Sequence, residues 1–378
     1  MKIVLIGSAH PLRGGGIATF NERMAQALQE QGHEVIIYSF SLQYPSFLFP
    51  GKSQFTDEPA PENLNIKSVI NAINPFNWWI QGQKIKNENA DLVLVRYWLP
   101  FMGPCLGTLL RIIRKNKKSK IIAITDNVIP HEKRIGDKLF TQYFLKAADA
   151  FLCMSKQVLN DLKTFTSKTA IYTVHPLYDN YGEVLPKATA QEQLGLKSDK
   201  KYLLFFGFIR AYKGLDILLE ALKDERLKAL ELIIAGEFYG DEAHYRALID
   251  KYQLNERVHL YTSFIPNQEV RYYFCAADLV VQPYKTATQS GITQIAYAFE
   301  KPMVLSNVGG LAENVAHAKV GYVAEPNAQA IADAIDLFFY TSPIVDLEQN
   351  LKEAKKSYSW EHFTNQLQQL YNNLAHKV

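Results

Sequence analysis

Cysteine is scarce in this chain, which has only three among its 378 residues, at Cys105, Cys153 and Cys275. Each thiol stands alone in an apolar stretch, which argues against a disulfide framework or a zinc site and favours small core residues. No apolar run reaches the ~20 residues that a membrane-spanning helix needs. The start, Met1-Lys2-Ile3, leads directly into a predicted strand without a signal-peptide pattern. We therefore expect a reducing, cytoplasmic location.

The chain also lacks a strong excess of one charge, since its formal net charge is only +3 at pH 7. Without a matching motif, so small an excess does not indicate nucleic acid as a partner. There is no Asp-x-Asp sequence, so a metal ion has no obvious pair of carboxylate ligands, and no Ser-His-Asp or Cys-His signature of a covalent nucleophile. The length of 378 residues favours roughly two domains.

Strands and helices alternate through the first half of the chain. A predicted strand at 2–6 is followed by a glycine loop ending at Gly16, a helix with one apolar face, and a second strand at 34–38. This βαβ unit implies a parallel sheet. Further apolar strands are predicted at 91–96, 120–125 and 150–154.

The alternation restarts after a connection at 173–198 that contains prolines and glycines. Further strands are predicted at 202–206, 230–235, 258–261, 279–282 and 303–306. We therefore predict an α/β protein with two Rossmann-like parallel-sheet domains, residues 1–178 and 185–357, facing each other across a cleft. Ser359 is a predicted helix N-cap. Because no strand follows it, the helix at 358–378 is expected to pack back on the first domain.

The most informative stretch is the turn at 207–214, between an apolar strand and a helix with leucines at helical spacing. Arg210 and Lys213 therefore stand where free backbone N–H groups and the positive end of a helix dipole converge. A planar guanidinium and a mobile ammonium suit a diphosphate leaving group. The alternative is a solvated turn that carries two cations.

Several short motifs follow one another along the chain. They are Gly15-Gly16, Gly32-His33-Glu34-Val35, Gly207 with Arg210 and Lys213-Gly214, Ala235-Gly236-Glu237, Ala277-Asp278-Leu279, Lys301-Pro302, Gly309-Gly310-Leu311-Ala312-Glu313 and Ser359-Trp360-Glu361. In this order and spacing the chain resembles, over essentially its whole length, the retaining GT-B-fold glycosyltransferases of family 4, the glycosyl transferases group 1. The resemblance is most specific in the second domain.

This resemblance implies a nucleotide-sugar site mainly on the second domain and an acceptor site mainly on the first. Arg210 and Lys213 would neutralise the departing diphosphate in place of a metal ion, and Gly15 and Gly16 would let backbone amides approach it. The implied reaction is front-face substitution, in which a departing phosphate oxygen helps to deprotonate the acceptor hydroxyl and the anomeric configuration is retained. No cofactor is implied beyond the nucleotide diphosphate-sugar co-substrate.

The resemblance assigns further donor-binding residues to the second domain. They are Gly207, Gly236, Glu237, Phe264, Thr288, Gln289, Ser290, Gly291, Ile292 and Glu313. Thr288, Gln289 and Ser290 are candidates for hydrogen bonds to sugar hydroxyls, and Gly291 would present amides to phosphate. Ser290 and Glu313 are equally compatible with capping their own helices.

One motif of the family is missing. Two glutamates are usual before the Gly-x-Pro element, one contacting the donor sugar and the other the ribose. Counted back from Pro302, the first position falls within 287–289 and the second on Ile295, beside Gln294. Neither position holds a carboxylate, and Glu300 is out of register. The donor and the ribose contact are therefore left open.

In the first domain, a loop follows the strand at 120–125, at the edge that faces the cleft in this fold. Asp126 could accept a hydrogen bond from a hydroxyl, and His131 could donate one to the sugar. These are roles that the resemblance gives to this loop. A solvated loop histidine is the alternative for His131.

Six cations stand within ten residues, downstream of two adjacent tryptophans, Trp78 and Trp79. The cations are Arg111, Arg114, Lys115, Lys117, Lys118 and Lys120. Basic residues with interfacial aromatics suit anionic lipid headgroups, which would fit a lipid-linked acceptor and peripheral contact with the inner face of a membrane. The alternative is a solvated helix end that complements its own dipole, with the tryptophans in the core.

Three functions remain open from the sequence. The main hypothesis is a metal-independent retaining hexosyltransferase that moves a hexose from a nucleotide diphosphate-sugar to a hydroxyl of a saccharide or lipid-linked saccharide, in surface polysaccharide or glycan assembly. The alternatives are a nucleotide-sugar epimerase or hydrolase of the same fold, and a non-catalytic nucleotide-sugar-binding or scaffold subunit. The missing glutamates favour the binding subunit, whereas Arg210 and Lys213 favour the transferase.

Overall fold

The computed structural model describes residues 1–13, 16–45, 53–130, 134–287, 290–342 and 344–376. The chain divides into two compact units. Unit 1 comprises Met1–Pro176 and Ser359–Val378, and unit 2 comprises Leu177–Tyr358. The sequence placed the end of the first domain at 178 and the start of the returning helix at 358, each close to a point where the chain passes between units. Each unit has its own hydrophobic core.

Unit 1 is built on a parallel sheet. Its strands are β1 (Lys2–Ile6), β2 (Glu34–Leu42), β3 (Asn65–Asn71), β4 (Leu92–Tyr97), β5 (Lys120–Thr125), β6 (Ala150–Cys153) and β7 (Ala170–Tyr172). They are ordered β3-β2-β1-β4-β5-β6-β7 across the sheet. Every residue of β4 is buried, because a central parallel strand is covered on both faces.

Helices connect these strands. They are α1 (Ile17–Glu30), α2 (Pro75–Asn87), α3 (Gly103–Ile113), α4 (Asp137–Leu145) and α5 (Lys156–Lys163). Right-handed crossovers place α2, α3 and α4 on the same face of the sheet, with α3 packed between the other two. Two glycines allow this close packing, since a Cβ on Gly82 would overlap Ile112 of α3 and one on Gly103 would overlap Phe140 of α4.

Unit 2 repeats the α/β arrangement. Its strands are β8 (Lys201–Phe206), β9 (Leu230–Ala235), β10 (Val258–Tyr261), β11 (Leu279–Gln282), β12 (Met303–Ser306) and β13 (Gly321–Ala324). They are parallel and ordered β10-β9-β8-β11-β12-β13. The helices are α6 (Lys187–Gln193), α7 (Leu215–Ala221), α8 (Glu242–Lys251), α9 (Val270–Ala276), α10 (Gly291–Ala298), α11 (Ala328–Asp336) and α12 (Leu347–Lys356). The predicted α/β fold with two parallel sheets is confirmed.

The last helix, α13 (Trp360–Ala375), belongs to unit 1. Ser359 caps it by accepting a hydrogen bond from the backbone N–H of His362 at 3.2 Å. The Trp360 ring lies 5.0 Å from the ring of Phe20 on α1. On the same helix, Thr364 accepts a hydrogen bond from the Gln31 side chain at 2.7 Å. Aromatic packing and this hydrogen bond thus hold α13 against α1.

Three strands were not predicted from the sequence: β3, β7 and β13. All three lie at an edge of their sheet, where one side of the strand has no neighbour and its residues are less buried. β7 is half-buried throughout, and in β3 only Ile70 is fully buried. The apolar run that marks a central strand is therefore weak or absent.

The cysteines and the helices were also the subject of predictions from the sequence. Cys105, Cys153 and Cys275 are free and buried, as predicted for small core residues. None of the helices in the described part of the chain combines the length and apolar character that a bilayer crossing requires.

Each sheet has one topological switch point, where successive strands are added in opposite directions. It lies between β1 and β4 in unit 1, and between β8 and β11 in unit 2. Loops leaving the carboxyl ends of the strands diverge there, and parallel α/β proteins bind ligands in the resulting crevice. The loop containing Gly16 follows β1, and the turn at 207–214 follows β8. Both glycine motifs therefore stand at a switch point.

We expect Gly214→Ala to destabilise unit 2. Gly214 has a φ of 70°, and a Cβ there would overlap the carbonyl oxygen of Pro283. Backbone strain and overlap together should lower the free energy of unfolding by about 2–4 kcal/mol, measured by circular dichroism during denaturation. Gly240→Ala is the matched control, since a Cβ there meets nothing within 4 Å. Equal stability of the two variants would contradict the prediction.

Candidate functional site

Lys213 lies between β8 and α7, in a single 3-10 turn (Ala211–Lys213) that ends at Gly214. It is only 8% exposed, and its ammonium makes no hydrogen bond or ion pair with any described residue. Burial, and secondarily the charge of Arg210, lower the pKa of Lys213 to about 7. A buried cation without a partner is unfavourable, so an anionic ligand would relieve an existing instability.

The Lys213 ammonium lies close to Gly207 and to the beginning of α10. A Cβ on Gly207 would stand 3.0 Å from Lys213 Nζ and 3.3 Å from Ile292 Cδ1. Ile292, in the first turn of α10, therefore brings its side chain close to the ammonium, and the beginning of this helix carries the positive end of its dipole. The structure brings together three of the predicted site residues: Gly207, Lys213 and Ile292.

Contacts across the switch point hold the Lys213 turn in place. The backbone N–H of Lys285 donates to the Tyr212 carbonyl at 2.7 Å, and Gly214 packs directly on Pro283. The buried ring of Tyr284 has its centroid 5.6 Å from Lys213 Nζ, within the range of a cation–π interaction. The loop after β11 thus supports the turn after β8.

Arg210 is held by aromatic residues from the neighbouring loop. Its guanidinium carbon lies 5.1 Å from the centroid of the Tyr239 ring, which stacks on Phe208 with a centroid distance of 4.3 Å. The backbone N–H of Ile209 donates to the carbonyl of Glu237 at 2.9 Å. The loop after β9 therefore fixes the direction in which Arg210 leaves the turn. Among the described residues, Arg210 has no carboxylate partner.

Gly236 and Gly291 have packing roles in this structure. A Cβ on Gly236 would overlap the carbonyl oxygen of Gly207, so the β9 loop can approach the β8 turn only because this residue is glycine. A Cβ on Gly291 would lie 2.9 Å from a ring carbon of Tyr178. Both glycines shape the site, whether or not they contact a ligand.

Ser290 is the N-cap of α10. Its hydroxyl accepts a hydrogen bond from the backbone N–H of Ile292 at 3.3 Å and lies 3.4 Å from the Tyr284 hydroxyl. The capping alternative recognised in the sequence is therefore what the structure shows. Thr288 and Gln289, its predicted partners in sugar binding, lie outside the described residues.

Sequence reasoning did not assign Gln294 to the site. Gln294 is the fourth residue of α10 and is 1% exposed. Neither its amide oxygen nor its amide nitrogen has a hydrogen-bond partner among the described residues. The adjacent Thr293, by contrast, bonds the Gln282 side chain at 3.1 Å. The sequence feature that could have pointed to Gln294 is its position next to Ile295, where the family resemblance expects a glutamate. A buried amide with both groups unsatisfied is unusual, and this one is on the helix whose Ile292 lies near Lys213.

Phe264 and Glu313 lie farther along the carboxyl edge of the unit 2 sheet. Phe264 follows β10 and is half-buried, while Glu313 follows β12 and is exposed on a short 3-10 turn (Ala312–Asn314). Each of these strands is two places from β8 in the sheet order. Glu237, in the loop after β9, is buried. The structure therefore groups Gly207, Lys213 and Ile292 closely and places Phe264 and Glu313 to either side.

In unit 1, Asp126 does not present a free carboxylate. Its two oxygens accept hydrogen bonds from Arg96, Nε at 2.6 Å and Nη2 at 2.7 Å, and both residues are buried. The guanidinium also lies 3.9 Å from the centroid of Phe20. The structure thus pairs Asp126 with Arg96, because a buried guanidinium requires a counterion, and the role predicted for Asp126, accepting from a substrate hydroxyl, stays a prediction.

The remaining unit 1 predictions concern the glycine loop and the loop after β5. Gly16 is exposed, has a φ of 58° and is the N-cap of α1. A Cβ added to it would meet nothing within 4 Å. The described residues therefore leave space beside the Gly16 Cα. Gly15 and His131 lie outside the described residues.

Several cations of the basic run are engaged within unit 1. Arg111 donates to the carbonyls of Gly107 and Tyr143, both at 2.7 Å. Arg114 pairs with Asp149, and Lys118 pairs with Asp91 at 2.9 Å. Trp78 packs against the core, and its ring N–H donates to the Asn71 carbonyl at 2.8 Å. For these residues the structure agrees with the alternative of a helix end that is satisfied by its own surroundings.

Within the described ranges, no group of three or more His, Cys, Asp or Glu side chains is arranged to hold a metal ion. The positive charge grouped at the unit 2 switch point comes from Arg210, Lys213 and the start of α10.

The two parallel-sheet α/β units are the elements of the GT-B fold. The family described as Glycosyl transferases group 1 matches residues 186–358, and Glycosyltransferase Family 4 matches residues 14–180. The two matches together cover most of both units. Together they identify the chain as a glycosyltransferase, with the Family 4 match in unit 1 and the group 1 match in unit 2.

Individual relatives agree with this assignment. The chain is 22% identical over 360 residues to the putative teichuronic acid biosynthesis glycosyltransferase TuaC of Bacillus subtilis, covering 89% of this chain and 88% of the relative. It is 25% identical over 397 residues to the D-inositol 3-phosphate glycosyltransferase of Corynebacterium glutamicum, covering 95% and 92%.

Solved structures share the fold at low sequence identity. Sucrose-phosphate synthase from Thermosynechococcus elongatus superposes with a TM-score of 0.74 at 19% identity, covering 100% of both chains. Anabaena HepE in complex with UDP-glucose superposes with a TM-score of 0.73 at 16% identity, covering 98% of this chain and 99% of HepE.

Proposed function

We propose that this protein is a retaining hexosyltransferase that uses a nucleotide diphosphate-sugar without a metal ion. The acceptor is a hydroxyl of a saccharide or lipid-linked saccharide, in surface polysaccharide or glycan assembly. One observation carries the proposal: the buried Lys213 ammonium has no acceptor among the described residues and lies beside the first turn of α10. An anionic group at this position would meet two sources of positive charge.

The diphosphate would occupy the space between Lys213, Arg210 and the start of α10. As the bond from the anomeric carbon to the phosphate oxygen breaks, negative charge accumulates on the diphosphate, and these groups stabilise it. In our proposal, that oxygen accepts the proton of the acceptor hydroxyl. The new glycosidic bond then forms on the face that the diphosphate leaves, and the configuration is retained.

The protonation of Lys213 supports this role. With a pKa near 7 in the unliganded protein, Lys213 exists as both amine and ammonium at neutral pH. A bound diphosphate would favour the ammonium and raise this pKa. Donor binding should therefore be accompanied by proton uptake.

A solved structure of the same fold suggests which donors to test first. HepE has been crystallised with UDP-glucose, which places UDP-sugars first in a screen. Gln294, next to the position where the family resemblance expects a carboxylate, offers the donor a neutral amide. An amide both donates and accepts hydrogen bonds, so it can bind a sugar or ribose hydroxyl without adding negative charge near the diphosphate.

The test begins with a thermal-shift screen of nucleotide-sugars, followed by assays of nucleoside diphosphate release with and without saccharide acceptors and EDTA. We expect release that depends on acceptor and is unaffected by EDTA, and a product whose anomeric proton coupling in NMR shows the donor's configuration. Loss of activity in EDTA would contradict metal independence, and an inverted product would contradict retention. Stabilisation without release for every acceptor would favour the binding subunit instead.

A further inference from the structure

We infer that unit 1 binds the surface of an anionic lipid bilayer through exposed apolar residues at the beginnings of α2 and α4. The inference concerns an interaction surface and does not depend on the proposed reaction. It also places the contact on residues other than the basic run at 111–120, several of whose cations are already engaged.

The outer stripe of α2 is apolar at its beginning. Phe76 is 84% exposed, Trp79 is 62% exposed, and Ile80 and the preceding Ile73 are also exposed. These helix positions are three and four residues apart, so they form one continuous face. Trp78 is on the opposite side and packs on the core. Exposed aromatic residues grouped in this way are unusual on a soluble surface and indicate an interaction site.

A second apolar group lies at the beginning of α4. Ile135 is fully exposed and Leu139 is 66% exposed, with the exposed Lys138 between them. Because α2 follows β3 and α4 follows β5 in a parallel sheet, both helices begin at the same edge, and both lie on the same face. The buried helix α3 separates them, so the two groups are about 20 Å apart.

This arrangement selects the kind of partner. The two exposed apolar groups lie on either side of α3, which is packed into the core. They therefore do not form one continuous groove for a peptide. They fit a flat partner that accepts both at once. A bilayer is such a surface, and Phe and Trp side chains are suited to its interface.

Charge along α2 favours an anionic bilayer. The helix contains no Asp or Glu, and its last turn carries Lys84 and Lys86. The exposed Lys84 follows the stripe begun by Phe76 and lies about 12 Å farther along the helix axis. If the N-terminal end of α2 enters the lipid first, Phe76 is deepest, Trp79 is at the interface and Lys84 reaches the phosphate layer. The one acidic residue of α4, Asp137, accepts a hydrogen bond from the backbone N–H of Arg134 at 2.7 Å.

The test is cosedimentation of the full chain with vesicles of phosphatidylcholine, with or without phosphatidylglycerol. We expect binding to the anionic vesicles that weakens with salt. The double variant Phe76→Ser/Trp79→Ser should bind with affinity reduced on the order of tenfold or more, and Lys84→Glu/Lys138→Glu should also bind weakly. The matched control is Val184→Ser/Val345→Ser, which removes two exposed apolar side chains from unit 2 and should bind like the parent protein.

Tryptophan emission supplies an independent readout. Trp79 is the most exposed of the four tryptophans, so vesicles should shift the emission to shorter wavelength. Trp79→Phe should retain binding but lose most of that shift. The inference is overturned if the parent protein stays in the supernatant with both vesicle types, if it binds neutral vesicles equally well, or if the double serine variant binds as the parent does. A solution dimer that this variant dissociates would assign the surface to a second copy and overturn it as well.

Discussion

Lys213→Met is expected to lower turnover by about 100-fold or more while making the unliganded protein more stable. Turnover falls because one charged contact to the departing diphosphate is lost in the transition state. Stability rises because methionine fills a similar volume without placing an unpartnered ammonium in the interior, a gain on the order of 1 kcal/mol or more. A residue that served only the fold would not show these opposite effects.

The pH dependence gives the sign of the stability change. Lys213 has a folded-state pKa near 7, below the value of about 10.4 of an unfolded lysine. The unfolded chain therefore binds more protons between these two pH values, and the parent protein gains stability as the pH rises through this window. The advantage of Lys213→Met should be largest at or below pH 7 and disappear near pH 10.

These effects are measured by steady-state kinetics and by calorimetry across that pH range. Lys228→Met is the matched control, since the Lys228 side chain is 76% exposed and pairs with Glu225 only at 3.7 Å. It should change neither turnover nor stability appreciably. A Lys213→Met protein that turns over like the parent would remove this residue from the proposed mechanism, and one that is less stable would show that its ammonium has a partner in the folded state.

Asp126→Asn is expected to destabilise unit 1 by about 3–5 kcal/mol, because it leaves the Arg96 guanidinium buried without a counterion. The environment offers no substitute: Arg96 Nη1 has no hydrogen-bond partner among the described residues. The neighbouring His175 is buried, and burial together with the charge of Arg96 lowers its pKa to about 3. The double variant Arg96→Met/Asp126→Leu, which removes both charges, should recover much of the loss.

Tryptophan fluorescence measures the stability of unit 1 separately from that of unit 2. All four tryptophans, Trp78, Trp79, Trp98 and Trp360, belong to unit 1, so their emission during urea denaturation follows that unit. The control in the same unit is Glu34→Gln, which removes an exposed partner of Lys2 and should change stability by less than about 1 kcal/mol. If Asp126→Asn were no more disruptive than this control, the ion pair would not be a structural requirement of unit 1.

The strands show how far the sequence predicts the fold. The ten predicted strands are present because each carries a run of apolar or β-branched residues bounded by turn signals. β3, β7 and β13 were missed because edge strands are half-exposed and shorter or more polar. Their pairing depends on a neighbour that is distant in the sequence, and no local pattern records it.

The candidate site also has a part that the sequence predicts and a part that it does not. The turn around Lys213 was predictable because strand, glycine, cation and helix follow one another within a few residues. Its neighbours have no such local signal: Tyr284 was missed, and Ile292 was assigned only through the family resemblance. Both reach the turn from the loop and helix that follow β11, about 70–80 residues later in the chain. The pairing of Asp126 with Arg96, 30 residues apart, likewise depends on two adjacent parallel strands, which no short motif encodes.

The sequence by itself determined the alternation of strands and helices, the family, and the position of the cationic turn, since these depend on local periodicity and on backbone freedom at glycine. The tertiary structure alone decided which polar groups are satisfied. It pairs Asp126 with Arg96, leaves the Lys213 ammonium and the Gln294 amide unpartnered within the described residues, and buries Trp78 while exposing its neighbour Trp79. Burial and pairing are set by elements far apart in the chain, because desolvation depends on everything that packs around a group and not on its neighbours in sequence.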